Sequence, residues 1–443
     1  MALNRRRFLS SLAQGSAAAA LGVSAAFPFA KLKVTEIEIH PIMVEYEDWI
    51  AYQLNHYYGP SRRVVYVAHT DTGLIGLGEG DSRESPEVVK KYIGSNPFDW
   101  VGDETSLALG TAMYDLMGQA AGVPVYRLFG QKRRSWVPTA SWTVSTHPRR
   151  MAQAVQEYSK RGFTWMKFHL SPFENIFEQM DAMQAVAPEG FKIHLDFTMG
   201  GSNDHMLELL DRLSAYRIMG CFEDPLREDD VQGYAELRKR ARLPIVYHHT
   251  PLGATQEVLL RAADAYMLGH ARIGTVMQRA GLFAAANVPF MTQNVGGEIT
   301  RSMVTHMQSA FPTSDFPFVT SSERWKTDVV KERLEPVNGF IRVPESPGLG
   351  VTLDREALKR AEALRLPEQP KWIIKSQFKN GAKMYNLADT KDPLFMVRPD
   401  FRRLIPMSYA SPISTEYWDD DGSPAFKQMM GRLERERMVL ERN

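Results

Sequence analysis

Six short hydrophobic runs decide the fold of this chain: TWMKFH (164–169), KIHLD (192–196), MGCFE (219–223), PIVYHH (244–249), AYMLGH (265–270) and VPFMTQ (288–293). Each run ends in a polar or charged residue. The runs follow one another at intervals of roughly 30 residues or fewer, which is the length of one strand, one helix and two turns. A repeat of this length is typical of a parallel array of strands and helices. We therefore predict an α/β fold in which these runs are parallel strands.

The strands are expected to close into a (β/α)8 barrel of the TIM type over residues 135–330. The C-terminal ends of such strands share one mouth, where enzymes of this fold carry out their chemistry. Before the barrel, residues 31–134 are predicted to form an α+β capping domain, because alternating runs are followed by segments of helical spacing. The loops at 45–62 and 81–86 are expected to cover the mouth of the barrel. After the barrel, residues 331–366 are predicted to return to the capping domain.

Residues 1–30 have the features of an export signal. Three arginines, Arg5 to Arg7, precede a weakly hydrophobic, alanine-rich run, and small residues at 24–26 provide a cleavage site. This pattern is typical of a twin-arginine signal and predicts export to the periplasm. No later segment contains the ~18 consecutive apolar residues of a membrane-spanning helix. We therefore expect no membrane association once the signal is removed.

The charge balance does not favour a nucleic-acid-binding protein, and the cysteine content excludes a protein stabilised by internal disulfides. The chain of 443 residues has 53 basic and 52 acidic residues, a net charge of +1, and so does not predict binding to nucleic acid. Its single cysteine, Cys221, lies in an apolar run and cannot form an internal disulfide. The fold of the C-terminal extension, residues 367–443, does not follow from its polar, proline-containing sequence. Its aromatic residues favour packing over a neighbouring subunit, and we expect a homo-oligomer.

Several motifs in this chain resemble those of the enolase superfamily, in its mandelate racemase and sugar-acid dehydratase branch. They are AMYDLMGQAAGVPVYRLFG (112–130), Lys167-Phe-His169, Asp196, Phe222-Glu223-Asp224-Pro225 and PGLGVTLD (347–354). The resemblance covers roughly residues 33–366. It implies a small-molecule carboxylate substrate, a bound Mg²⁺, and removal of the proton next to the carboxylate to form an enediolate. Superfamily members use a Lys or His base together with Mg²⁺.

The resemblance also implies a metal site. Asp196 and Glu223 match two family ligands, and such oxygen donors would hold the ion that stabilises the second negative charge of the intermediate. An alternative is that both carboxylates cap the helices that follow them. The third family ligand is an acidic residue, whereas His249 stands at that position here. Imidazole suits Zn²⁺ or Mn²⁺ better than Mg²⁺, so the ion is expected to be Mg²⁺ by family, with Mn²⁺ or Zn²⁺ as alternatives.

The remaining site residues follow from the same resemblance. Lys167 matches a lysine that contacts the substrate carboxylate, and His169 takes the place of the lysine base two residues later. Side chains two residues apart on a strand point the same way. On the opposite side, His270 and Gln293 stand where racemases have an Asp–His pair. His270 is either a general acid or a residue that fills space, and Glu323 matches a residue that hydrogen-bonds the substrate carboxylate.

Substrate contacts are also expected from the capping domain. The segment EDWIAYQLNHYYGPS (47–61) is rich in aromatic and amide side chains and is predicted to be a mobile loop. Within it, His56 and Tyr57 are expected to bind substrate together with Gln293. The polar character of this segment favours an acid sugar over an apolar acid.

Three functions are compatible with these residues. The first is a metal-dependent lyase, a dehydratase, in which His169 removes the α-proton of an acid sugar and His169 or His270 helps the β-hydroxyl to leave. The second is a racemase, epimerase or cycloisomerase on the same scaffold. The third is a carboxylate-binding protein without activity, which Gln293 and His249 favour; an amide cannot exchange protons. Retention of Lys167, Asp196, Glu223 and Glu323 favours catalysis.

Overall fold

A computed structural model describes residues 29, 31–198, 203–369, 371–388, 395–397 and 413–442. Apart from Phe29, the predicted export signal lies outside these residues, so export stays a prediction. Within the described ranges, no helix combines the length and apolar character needed to cross a membrane.

The capping domain is built on a three-stranded antiparallel sheet of order β1-β2-β3, with β1 at Val34–Val44, β2 at Ser61–Thr70 and β3 at Ile75–Gly80. Helix Leu107–Ala121 packs directly on this sheet. A Cβ added at Gly78 would lie 2.1 Å from the carbonyl oxygen of Ala108. Glycine therefore sets the closest approach between helix and sheet. The other helices here are Pro86–Tyr92, Tyr126–Phe129 and the 3₁₀ helix Pro97–Trp100.

The predicted barrel is confirmed. Its eight parallel strands are β4 (Trp136–Val144), β5 (Trp165–His169), β6 (Lys192–Asp196), β7 (Met219–Glu223), β8 (Ile245–Tyr247), β9 (Ala265–Gly269), β10 (Phe290–Gln293) and β11 (Phe318–Val319). The barrel closes because β11 pairs with β4. Its helices are Pro148–Lys160, Ile176–Val186, Asn203–Leu213, Val231–Arg240, Thr255–Leu259, Ile273–Ala286 and Glu298–Ala310.

The register of the strands places three predicted site residues side by side. His169 on β5 is paired with Asp196 on β6. Asp196 is in turn paired with Glu223 on β7. All three are the last residues of their strands, so they lie together at the C-terminal mouth of the barrel.

One expectation for the capping domain is wrong. The segment predicted as a mobile loop is mainly a helix, Asp48–Tyr58. Ile50, Leu54 and Tyr57 recur on one face of this helix and are buried. Burial of these apolar side chains stabilises helix where the polar residues between them suggested a loop.

The segment after the barrel returns to the capping domain. Strand β12 (Phe340–Arg342) pairs antiparallel with β4. Helix Arg355–Ala363 then packs on β1, where Glu362 Oε1 lies 2.8 Å from His40 Nδ1.

The C-terminal extension forms its own small layer. Strands β13 (Trp372–Phe378), β14 (Lys383–Leu387), β15 (Ile413–Asp419) and β16 (Met438–Glu441) make an antiparallel sheet of order β15-β13-β14-β16. Helix Pro424–Glu436 packs on it through Phe426 and Leu433. The extension packs on its own chain, because Asp419 Oδ1 lies 2.6 Å from His56 Nε2 and Ser171 donates to the carbonyl of Met396. The homo-oligomer stays a prediction.

Candidate active site

A cavity of about 640 Å³ lies at the barrel mouth, between the barrel and the capping domain. The capping domain contributes Tyr46, Tyr58, Arg62 and Asp81 to its wall, and all four lie within the segments 45–62 and 81–86 that were expected to cover the mouth. The barrel contributes polar and aromatic side chains, among them Trp142, His169, His270, Gln293, Ser321 and Arg324. The cavity therefore joins the predicted site residues to a wall from a second domain.

Lys167 lies beneath this cavity, fully buried, and is not part of the described cavity wall. Its Nζ is 3.0 Å from Asp196 Oδ2 and 2.8 Å from Glu223 Oε2. Nζ also donates a hydrogen bond of 2.7 Å to Gln293 Oε1. Lys167 is thus held by three side chains from β6, β7 and β10, and its predicted contact with the substrate carboxylate stays a prediction.

Lys167 and the two carboxylates, Asp196 and Glu223, stabilise one another in their charged forms. Burial alone would lower the pKa of Lys167, but Asp196 and Glu223 more than offset it and the pKa is raised. Burial would raise the pKa of Glu223, yet Lys167, His194 and His248 hold it well below its usual range. Burial and Glu223 would raise the pKa of Asp196, but Lys167 and His169 lower it. All three groups are charged at neutral pH.

His169 has the position of a base. It lines the cavity, and its Nε2 lies 3.2 Å from Asp196 Oδ2. A carboxylate can only accept a proton, so Nε2 carries the hydrogen and Nδ1 keeps its lone pair. Nδ1 is buried and has no hydrogen-bond partner. The ring is fixed from its other side by the edge-on contact with Trp142, at 5.3 Å between centroids.

The two histidines after β8 have different partners. His248 Nδ1 lies 3.1 Å from Glu223 Oε1, whereas His249 Nδ1 lies 2.5 Å from Asp224 Oδ2. Asp224 has a φ of 43°, in the left-handed region, and also accepts a hydrogen bond from the backbone N–H of His248. Burial lowers the pKa of His249, but Asp224 offsets this and the pKa is raised. In this structure His248 therefore pairs with Glu223, and His249 pairs with Asp224.

Two overlapping sets of side chains offer donors of the kind that divalent ions bind. In the first set, Asp196 and Glu223 are ionised carboxylates on neighbouring strands, and two imidazoles contact Glu223: His194 at 2.6 Å, and His248, which follows β8, at 3.1 Å. Two oxygens and one imidazole nitrogen suit Mn²⁺ or Zn²⁺ as well as Mg²⁺. Among the described residues, the group of three whose donor atoms lie within 4.8 Å of one another is Asp224, His248 and His249. His248 is common to both sets.

His270 and Gln293 both lie on the cavity wall. Desolvation by the surrounding protein lowers the pKa of His270 to about 4, with further contributions from His248, Arg63 and Lys167, although 43% of the side chain is exposed and its Nδ1 lies 3.8 Å from Asp81 Oδ2. His270 is therefore neutral at pH 7 and is not a cationic acid. Gln293 is occupied by the hydrogen bond from Lys167.

Three predicted residues do not line the described cavity. Glu323 is fully buried and accepts a hydrogen bond of 2.6 Å from Arg301 Nη2. His56 faces Asp419 of the extension, and the Tyr57 hydroxyl donates to the carbonyl of Ser145. Packing with elements distant in sequence turns these side chains away.

Their sequence neighbours line the cavity instead. Tyr58 follows Tyr57 on the helix, and Arg324 follows Glu323 in the 3₁₀ turn Ser322–Arg324. Trp142 comes from β4, for which no site residue was predicted. In the sequence SSERW, the arginine next to the predicted glutamate could have suggested Arg324 as a site residue. The sequence alone does not tell which of two adjacent side chains faces the cavity.

The family of enolase C-terminal domain-like proteins matches residues 150–357. The chain is 23% identical to a D-Ala-D/L-Ala epimerase from Cytophaga hutchinsonii over 370 residues, covering 75% of this chain and 99% of that protein. It is 24% identical to a D-gluconate dehydratase from Thermoproteus tenax over 298 residues, covering 61% of this chain and 60% of that protein.

A solved structure gives the same result for the fold. The dipeptide epimerase from Cytophaga hutchinsonii, in complex with Mg and the dipeptide D-Ala-L-Val, is similar with a TM-score of 0.63 at 20% identity. The similarity covers 74% of this chain and 98% of that chain. Residues 150–357 thus match the enolase C-terminal domain-like family, and the chain is similar in sequence and in fold to enzymes of the enolase superfamily.

Proposed function

We propose that this protein is a lyase, a dehydratase, that removes the proton next to the carboxylate of an acid sugar and releases the β-hydroxyl as water. The observation that carries the proposal is the pairing of His169 with Asp196 on the cavity wall, at 3.2 Å. The similarity to a D-gluconate dehydratase supports the substrate class.

The proposed reaction uses one histidine twice. His169 takes the proton from the carbon next to the carboxylate, and Asp196 stabilises the imidazolium that forms. The same proton then passes to the hydroxyl on the next carbon, whose C–O bond breaks to release water. The enol that remains tautomerises to a 2-keto-3-deoxy acid. Asp196 is suited to this role because it stays ionised beside Lys167.

The side chains opposite His169 favour a mechanism with a single base. Gln293 is an amide held by Lys167 and cannot exchange a proton. His270, with a pKa of about 4, carries no proton to donate as an imidazolium at neutral pH. We therefore infer that the proton and the hydroxyl leave from the same face of the substrate, the face toward His169.

A divalent ion has a defined place in this proposal. Asp196, Glu223 and His248 would hold it, and when bound it would polarise the substrate carboxylate and so make the neighbouring proton more acidic. The chain's own residues position His169, and the buried Lys167 keeps both carboxylates ionised.

Epimerisation is the second candidate. It requires two groups that exchange a proton with opposite faces of one carbon. His270 is neutral and lines the same cavity as His169, so it can accept a proton. The similarity to a D-Ala-D/L-Ala epimerase is consistent with this reaction.

The two candidates differ in their products. The protein, supplied with Mg²⁺, Mn²⁺ or Zn²⁺, is incubated in ²H₂O with a panel of aldonic acids that includes D-gluconate and D-arabinonate. A dehydratase yields a 2-keto-3-deoxy acid that is lighter by one water in mass spectrometry. An epimerase yields α-deuterated acid of both configurations without loss of water. If no acid in the panel reacts or exchanges with any of the three ions, the proposal of a dehydratase is rejected.

A further inference from the structure

Arg324 is a buried cation on the cavity wall, and none of the residues that the structure describes forms an ion pair with it. The residue is 5% exposed and ends the 3₁₀ turn Ser322–Arg324. Its Nη2 donates to the hydroxyl of Ser321, but its Nε is buried and makes no hydrogen bond. Among the residues that the structure describes, no carboxylate lies within ion-pair distance of Arg324. A buried guanidinium in this state leaves charge and donors for a ligand.

The other cations near the cavity are already neutralised. Arg62 pairs with Glu368. Arg63 is held by Glu79, at 2.9 Å, and by Asp81. Lys167 is enclosed by Asp196, Glu223 and Gln293. An anion that enters the cavity therefore meets one arginine whose charge is not already balanced by a neighbouring carboxylate.

Arg324 also lies on the same wall as the proposed base. Its guanidinium carbon is 4.0 Å from the centroid of the Trp142 ring, and the His169 ring contacts the same Trp142 ring at 80° with 5.3 Å between centroids. The contact with the aromatic ring restrains the guanidinium. A carboxylate bound by Arg324 would lie in the cavity that His169 also lines.

We propose that Arg324 binds the carboxylate of the substrate, in the role that sequence similarity assigned to Lys167. The proposal rests on the proposed function in that the bound acid is the one that His169 deprotonates. A guanidinium binds a carboxylate through two parallel hydrogen bonds, which gives orientation as well as affinity. The cavity is thereby specific for acids over neutral polyols of the same length.

Binding measurements test the role of Arg324 apart from turnover. Calorimetric titrations with D-gluconate, D-arabinonate and L-tartrate, and with the uncharged D-glucitol, are carried out on the full-length protein with Mg²⁺ present. The background is the variant His169→Asn, so that no substrate is consumed. We expect at least one acid to bind and D-glucitol to bind at least ~10-fold more weakly, as for loss of a charged hydrogen bond.

Arginine variants then identify the group responsible. Arg324→Gln should weaken acid binding by ~10-fold or more, while leaving D-glucitol binding unchanged. Arg324→Lys, which keeps the charge without the planar fork, should bind with intermediate affinity. Arg62→Gln removes a paired arginine of the same cavity and should change affinity by less than about threefold, as for an exposed ion pair. Near-UV circular dichroism of each variant verifies that the fold is retained.

Two results would overturn the proposal. One is that Arg324→Gln and Arg324→Lys, both folded, bind the acids as tightly as the background protein. The other is that none of the three acids binds more tightly than D-glucitol. Failure of the proposed function is seen separately: if the acids bind through Arg324 but the protein with intact His169 neither dehydrates nor exchanges them, the lyase proposal fails and the role of Arg324 stands.

Discussion

Lys167 Nζ donates a hydrogen bond of 2.7 Å to Gln293 Oε1, across the barrel from β5 to β10. A mechanism with two bases would need one proton-exchanging side chain on each of these two strands, facing opposite sides of the substrate. The hydrogen bond binds Gln293 to a buried ammonium group that also holds Asp196 and Glu223. Among the residues of the cavity wall, proton transfer is thereby left to the histidines His169 and His270.

Replacement of His169 tests this assignment. His169→Ala should lower turnover of a dehydrated acid by ~10²–10⁴-fold, as for loss of a general base, while the acid still binds. Wild-type protein should exchange the α-proton of one configuration of the acid and not of the other, because one base serves one face. Proton exchange in ²H₂O, followed by nuclear magnetic resonance, measures both. Near-normal exchange in His169→Ala would transfer the role to His270.

Gln293 should matter for stability more than for turnover. Gln293→Leu leaves the buried ammonium of Lys167 without one acceptor, which should lower the free energy of unfolding by ~1–3 kcal/mol. Its effect on turnover should be much smaller than that of His169→Ala. Urea denaturation followed by tryptophan fluorescence gives the first quantity and the product assay gives the second. A loss of turnover equal to that of His169→Ala would show that Gln293 takes part in the chemistry.

The ligands of the divalent ion can be separated by mutation. Asp196→Asn, Glu223→Gln and His248→Ala should each reduce bound metal, measured by elemental analysis after gel filtration. His249→Ala is the matched control and should retain metal, because His249 pairs with Asp224 and not with Glu223. If His249→Ala loses the ion and Asp196→Asn keeps it, the ion is held by Asp224, His248 and His249 instead.

The pH dependence of stability should include a contribution from His306. Burial lowers the pKa of this side chain from 6.5 to about 4, although its Nε2 lies 3.1 Å from the carbonyl of Leu349. In the unfolded chain His306 binds a proton as the pH falls below 6.5, whereas in the folded chain it stays neutral until about pH 4. Stability is therefore complete above pH 6.5 and decreases as the pH falls towards 4.

The variant His306→Gln isolates this term, because glutamine can donate to the same carbonyl and does not titrate. The loss of unfolding free energy between pH 7 and pH 4.5 should be smaller in the variant by ~2 kcal/mol. Urea denaturation at the two pH values provides the measurement. Equal losses in the two proteins would mean that His306 is protonated in the folded state.

Close packing of the capping domain should depend on Gly78. Gly78→Ala would bring a methyl group within 2.1 Å of the Ala108 carbonyl oxygen and should destabilise the protein by ~1–3 kcal/mol. Gly281→Ala is the control, since its added Cβ would have no neighbour within 4 Å and its helix should gain stability. The melting temperatures of both variants, measured by thermal unfolding, test this prediction. A Gly78→Ala protein as stable as Gly281→Ala would contradict the close packing of the helix on the sheet.

The sequence by itself determined the barrel and the line of residues at its mouth. Alternation along parallel strands has a period of two, so run ends such as His169, Asp196 and Glu223 fall at equivalent positions and point towards one centre. The repeat of hydrophobic runs is a local property, and it carried the fold prediction without knowledge of any contact.

Only the tertiary structure decided what the side chains beyond the strand ends contact. Strand β8 ends at Tyr247, so the orientations of His248 and His249 depend on Asp224 and Glu223 from another strand. In the same way, Glu323 is buried where it accepts a hydrogen bond from Arg301, and the adjacent Arg324 lies on the cavity wall. In a loop no fixed period assigns a side chain to a face, and partners distant in sequence select it by hydrogen bonding and burial.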